Sequence, residues 1–313
     1  MIIAHTLDDI KDVTNGTCLT IGNFDGVHLA HQTLLARVRS RAEALHIVSL
    51  AVTFEPHPRQ VLLGTNDPPR LTSPAVKLEL IAATGIEVCL VLPFTRAFAA
   101  QEPGDFARDC LARNLKMREL VIGHDWAFGK GRKGDFITLQ ALGAQLDFTV
   151  DQLAPVLLDG AAVSSTRIRD MLLSGDVWCV RPLLNRFHKV RGTVIHGSDR
   201  GGKLLGFPTA NIQAPDQLLP KGGVYAAWAT HGERILGAVA NLGTNPTFGD
   251  GPLSLEAHIF DYSGDLYAKP IDLHFVQRLR GEKKFSGPDI LKAQIAQDVS
   301  LAKRILAAPG AAL

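Results

Sequence analysis

The chain lacks any apolar run near the ~20 residues that a membrane-spanning helix needs. Its best stretch, 45–54, is broken by His46, Ser49 and Thr53. Residues 1–10 hold His5, Asp8 and Asp9 with neither a basic nor an apolar segment, so no secretory leader is expected. Cysteine is scarce: Cys18, Cys89, Cys110 and Cys179 lie far apart and form no CxxC pair, which fits reduced thiols in a cytoplasmic protein. An excess of one charge is also missing, since 33 Lys and Arg against 31 Asp and Glu leave +2. The one compact basic stretch, Lys130, Arg132 and Lys133, is too small for a polyanion groove, so nucleic acid is excluded as a partner. No internal repeat or low-complexity segment occurs. A soluble enzyme acting on small molecules, away from membranes, is the expected class.

What is present is core material. Of 313 residues, 46% are AVILMFWYC and 20% are charged, with 29 Gly and 17 Pro. That composition describes a folded chain long enough for two domains. In the first half, short apolar runs alternate with helical segments. Residues 18–21 read as a strand ending at Gly22, 28–44 as an amphipathic helix, and 47–54 as a strand closed by Glu55-Pro56-His57-Pro58. Thr72-Ser73-Pro74 opens a helix that Gly85 ends. Residues 86–92 form a strand, 105–115 a helix, 120–122 a strand, and Ser164 or Ser165 caps a helix that runs to Gly175. Such alternation predicts parallel strands with right-handed crossovers, hence a doubly wound α/β sheet with ligands at the carboxyl ends of its strands.

Past about residue 184 the pattern turns to short β-rich runs at 190–196, 223–229, 235–242, 253–260 and 271–276. Apolar residues at every second position in 253–259 indicate one buried face. These strands predict a small antiparallel barrel, closed by an amphipathic helix over 288–308 that carries Leu291, Ile295 and Val299 at four-residue spacing. The expected domains are 1–184 and 185–313.

The segment Gly22–His31 leaves a strand and enters a helix, which aims backbone N–H groups and a positive helix end at one place. His28 and His31, three apart, share a helix face and offer two donors to a polyphosphate. A two-histidine metal site and surface histidines without a role are the competing readings. Ser164, Ser165 and Thr166, with Arg167 and Arg169, form a second group of anion-binding side chains at a helix start; a capping hydroxyl followed by a solvated basic face is its alternative.

These motifs carry a resemblance. Gly22–His31, Thr53–Pro58, Gly123–Gly129 with Gly131–Asp135, and Ser164–Arg169 stand in the order seen in the bacterial bifunctional riboflavin kinase/FMN adenylyltransferases, or FAD synthetases. The resemblance implies a Rossmann-like nucleotidylyltransferase domain. In it, His28 and His31 form the HxGH-type signature, and Ser164, Ser165, Thr166 and Arg169 the ISSTxxR-type signature on ATP. Asn23, Asp25, His57 and Asp125 would border ATP and FMN. One departure is Ala30, where the family carries Gly. A methyl there either crowds the nucleotide or, on a helical residue, is favoured over Gly by up to ~1 kcal/mol. The first outcome would leave a riboflavin kinase with a weak or inactive adenylyltransferase half.

In the second half, the glycines of 201–206 allow a backbone to wrap phosphates, and Lys203 adds a cation. Thr209 and Asn211, two apart in an extended segment, point the same way and present oxygens suited to Mg²⁺. A Gly/Pro-rich connection is the plain alternative. Gly206-Phe207-Pro208-Thr209-Ala210-Asn211 resembles the flavokinase hallmark, as do 219–225, 241–248, 255–261 and 264–267. The resemblance implies that Gly202, Lys203, Gly206, Pro208, Thr209 and Asn211 bind Mg-ATP, with Thr209 and Asn211 on the metal and Glu256 as catalytic base. It further implies riboflavin, FMN and ATP as substrates. Alternation places Glu256 on the face opposite Leu253, Leu255 and Ala257.

Overall fold

The computed structural model describes residues 1–10, 16–65, 68–132, 134–196, 207–214, 217–244 and 253–313. The chain divides into two compact units, Met1–Pro69 with Pro74–Ser164, and Arg70–Ser73 with Ser165–Leu313.

The first unit is built on central strands whose side chains are mostly buried on both faces. β1 (Ile2–Ala4), β2 (Thr17–Ile21), β3 (Val48–Glu55), β4 (Val88–Pro93), β5 (Met117–Gly123) and β6 (Thr149–Leu153) form one parallel sheet in the order β1-β4-β3-β2-β5-β6. Along β3, Leu50, Val52 and Phe54 enter one core while Ala51 enters the other, the period-two split that a doubly covered sheet requires. Helix α1 (Leu29–Leu45) covers the Ala51 face with Leu34, Leu35 and Val38.

Short helices follow: α2 (Pro58–Leu63), α3 (Pro74–Ala82), α4 (Arg96–Ala99), α5 (Pro103–Asp105) and α6 (Phe136–Leu146). Asp135 caps α6 by accepting the Thr138 N–H at 2.8 Å. A hairpin, β7 (Leu157–Leu158) with β8 (Ala161–Ala162), turns through Asp159 and Gly160, both at positive φ. Strand order reverses between β2 and β5, so the loops after Ile21 and Gly123 flank the crevice where ligands of such sheets bind.

The doubly wound sheet predicted from the alternation is therefore present. One helix differs in kind: from Phe106 to Asn114 the expected α-helix winds as a π-helix. Its wider turn brings Phe106 and Leu111, five apart, into the same core.

The second unit begins with α7 (Ser165–Ser174) and α8 (Val177–Leu184). Strands β9 (His188–Ile195), β10 (Ala210–Gln213), β11 (Gly223–His231), β12 (Arg234–Thr244), β13 (Leu253–Ile259) and β14 (Pro270–Arg280) then close into an antiparallel barrel ordered β10-β13-β12-β11-β14-β9. Tyr225, Leu242, Leu255, Ala257, Leu273 and Phe275 are buried on the strand faces that turn inward.

Helix α9 (Pro288–Leu306) lies on the outside, where Val299, Ala302 and Leu306 pack on Val224, Ala226 and Val276. Arg280 ties it down: its Nε and Nη2 reach Asp298 Oδ2 at 3.0 and 2.8 Å. The predicted barrel and closing helix both occur. The four-residue β10 is a strand only because β9 and β13 pair with it.

Candidate active sites

In the first unit, His28 stands just before α1 with extended backbone and caps it, its Nδ1 accepting the His31 N–H at 3.4 Å. That role leaves the ring proton on Nε2, so His28 presents a donor. The two imidazoles stack at 3.6 Å and 15°, and Phe24 meets His31 edge-on at 5.3 Å. Burial, and then the neighbouring His28, hold the His31 imidazolium well below the ordinary histidine range, so His31 is a neutral ring. Its Nδ1 is buried without a hydrogen-bond partner among the described residues. Ala30 is the second residue of α1 and carries no positive φ. Its methyl sits in backbone that favours Ala over Gly.

Asn23 and Asp25 belong to the loop between β2 and α1, and Asp25 is buried. His57 caps α2, its Nδ1 accepting the Arg59 N–H at 3.2 Å. Asp125 is exposed beyond β5, 3.9 Å from His124. A chain of rings lies at the carboxyl ends of the strands. Phe54, Phe94 and Phe98 touch edge-on, Phe98 meets Phe106, and Phe128 stacks on Trp126 at 4.8 Å. Phe54 and Phe106 belong to the buried core, and Phe94, Phe98, Trp126 and Phe128 pack partly buried against it. Ser164 ends the first unit, while Ser165, Thr166 and the buried Arg169 open the second on α7.

The second unit's site is a row across the outer barrel face. Glu256 pairs directly with Asn211 on β10 and with Asn241 on β12. Asn241 in turn faces Val224, which faces Arg280. Residues paired in this way stand about 5 Å apart at Cβ. A cavity of about 390 Å³ opens over this row, lined by Thr209, Asn241, Glu256, His258, Arg280 and the α9 residue Ile295 among others. The Glu256 carboxylate makes no hydrogen bond or ion pair among the described residues, and partial burial raises its pKa above the usual range. His258 Nδ1 holds the Pro208 carbonyl at 2.9 Å, which fixes the approach to Thr209.

Asn241 and His258 lie inside stretches that resemble the flavokinase pattern but were given no role there, and Arg280 carried no signal. Period-two counting on from Glu256 would have found His258, but only the ladder register finds Asn241. Gly202, Lys203 and Gly206 lie outside the described residues, as do 245–248 of the flavokinase pattern.

The comparisons agree with both halves. The FAD synthetase family matches residues 10–167 and the riboflavin kinase family residues 184–306. A Haemophilus influenzae protein named bifunctional riboflavin kinase/FMN adenylyltransferase is 38% identical over 97% of this chain and 98% of its own. A Pseudomonas fluorescens protein of the same name is 38% identical over 99% of each chain. A crystal structure described as a macrolide-efflux protein from Streptococcus pneumoniae superposes with a TM-score of 0.85 at 27% identity, covering 96% of this chain and 98% of that one. No helix among the described residues is long and apolar enough to cross a membrane. By these matches the chain belongs to the bifunctional riboflavin kinase/FMN adenylyltransferase family.

Proposed function

We propose that this chain makes FAD from riboflavin in two ATP-dependent steps, with residues 185–313 acting as the riboflavin kinase domain and 1–184 as the FMN adenylyltransferase domain. The observation that carries the reading is the direct opposition of Glu256 to Asn211 beside a cavity that Thr209 also lines.

In the first step Glu256 takes the proton of riboflavin's terminal ribityl hydroxyl. The alkoxide oxygen bonds to the γ-phosphorus of ATP as the bond to the β-phosphate oxygen breaks, giving FMN and ADP. A base for this task gains from a raised pKa and from being free of an ion pair. Thr209 and Asn211 offer a hydroxyl and an amide oxygen from one face of an extended segment, a donor set suited to a hard divalent ion. Mg²⁺ held there would neutralise phosphate charge. Arg280, fixed by Asp298, and the apolar side chains of α9 form the cavity wall on which the flavin would lie.

In the second step a phosphate oxygen of FMN bonds to the α-phosphorus of a second ATP and pyrophosphate leaves. The His28 Nε2–H and the neutral His31 ring supply donors toward the charge that builds on phosphate oxygens. Asn23, Asp25, His57, Asp125, Ser164, Ser165, Thr166 and Arg169 are assigned to nucleotide and FMN binding on their motifs. Nothing favours an inactive first half, because Ala30 sits in helical backbone. The free thiols and the lack of a membrane-crossing helix among the described residues support a cytoplasmic location.

Incubating the purified chain with riboflavin, ATP and Mg²⁺ and separating the flavins by chromatography tests the proposal. FMN should appear first, then FAD with one pyrophosphate released for each FAD. FMN that accumulates without FAD would refute the role of the first unit, and riboflavin left unchanged would refute that of the second.

A further inference from the structure

The loop that opens the first site has an unfavourable backbone. Phe24 at φ 50 and Val27 at φ 36 both lie in the left-handed region, with Gly26 at φ 82 between them. A β-branched residue there persists only where its surroundings impose it. One anchor is apolar, since Phe24 and Val27 are buried in the α1 core.

The second anchor is polar and comes from α3. Lys77 is 8% exposed, and its ammonium donates to Thr53 Oγ1 and to the Phe54 carbonyl, each at 3.2 Å. Thr53 Oγ1 in turn donates to the Asn23 carbonyl at 3.3 Å. Thr53 is fully buried, so its lone pair meets the lysine and its proton meets the loop. Burying an ammonium is unfavourable unless acceptors are placed to receive it, and an apolar side chain would pack this helix face without that penalty.

We propose that Lys77 is a positioning residue for adenylyl transfer. Through Thr53 it fixes the Asn23 carbonyl, and with it the 23–27 loop and the start of α1 at His28. The inference rests on the first unit being the adenylyltransferase. Lys77 touches no reacting atom in this scheme, and the bonds that lead from it to the loop run through the Thr53 hydroxyl.

The test uses the full chain, whose kinase step reports that each variant is folded. Lys77→Met should lower FAD formation from supplied FMN by about tenfold or more, chiefly in kcat, as misplaced donors do. Riboflavin phosphorylation should be unchanged. Thr53→Val should reproduce the loss and Thr53→Ser should restore it, while Lys77→Met with Thr53→Val should be no worse than either alone. Native FAD formation by Lys77→Met would overturn the proposal. So would losses that multiply in the double variant, since Lys77 would then act on ATP directly, or a parallel fall of both steps. If Lys77→Met does not fold, equal rates for Thr53→Val and Thr53→Ser would overturn it. A wild-type chain that makes no FAD from FMN would instead refute the proposed function.

Discussion

His258 Nδ1 lies 2.9 Å from the carbonyl oxygen of Pro208, and the same ring meets Phe207 edge-on at 5.3 Å. The carbonyl can only accept, so His258 donates from Nδ1. This bond joins β13, two residues beyond Glu256, to the segment that presents Thr209. His258→Ala should lower the kinase kcat/KM for ATP about tenfold, the equivalent of ~1.4 kcal/mol for one lost hydrogen bond. FAD formation from FMN should be unchanged. Steady-state kinetics of the two steps on one preparation checks this, and an equal fall in both would remove the anchoring role.

Glu256→Gln should reduce riboflavin phosphorylation by roughly 10²–10⁴-fold, the usual contribution of a general base. It should also raise thermal stability at pH 7. Burial raises the Glu256 carboxyl in the folded chain, so the ionised form is less favourable folded than unfolded, and the neutral amide escapes that penalty. Thermal unfolding read beside turnover separates this outcome from damage to the barrel, which would lower both.

Ala30→Gly should change FAD formation by less than about twofold and weaken the fold by roughly 0.5–1 kcal/mol, as Gly does in helical backbone. His31→Phe, which keeps the ring contact with Phe24 but lacks the nitrogens, should lower FAD formation at least about tenfold. The riboflavin step should survive both changes. A large gain in FAD formation from Ala30→Gly would show that the methyl obstructs the nucleotide.

Acid should weaken the second unit through His274. Burial, and then the charge of Lys189, hold its imidazole down to about 4, against ~6.5 unfolded. The unfolded chain therefore binds this proton first. Stability from this group is complete above about pH 6.5, falls as pH drops toward 4, and changes no further below that. The loss is at most ~3 kcal/mol. His274→Gln, which keeps a partner for the Thr230 hydroxyl, should flatten this limb. Urea midpoints at pH 7 and 4.5 for both proteins measure it, and parallel shifts would exclude His274 as the cause.

Much of the fold was legible because its long elements carry strong periods. β3 is a mostly apolar run interrupted by Ser49 and Thr53, and α9 carries an apolar stripe. β10 was legible only as an extended segment, since four residues flanked by Pro208 have too little pattern to name a strand. The π-helical winding of 106–114 leaves the same apolar spacing as an α-helix over so short a span. Among the proposed site residues, the closeness of His28 to His31 and the shared face of Thr209 and Asn211 were readable from spacing, and Glu256 was singled out by motif. Lys77 was not, because a Lys in a helix is an ordinary surface residue until its neighbours are known, and the pairing of Asn241 with Glu256 was not, because only the ladder register shows it.

The order of motifs, the change from helix to strand period, and the face of Glu256 were written in the residues themselves, since local backbone geometry sets those periods. Tertiary structure alone decided which strands became neighbours. Barrel closure set Glu256 between Asn211 and Asn241, and the parallel sheet brought Lys77, Thr53 and Asn23 together. Those partners lie 15 to 45 residues apart in the chain, and only hydrogen-bond register and packing select them.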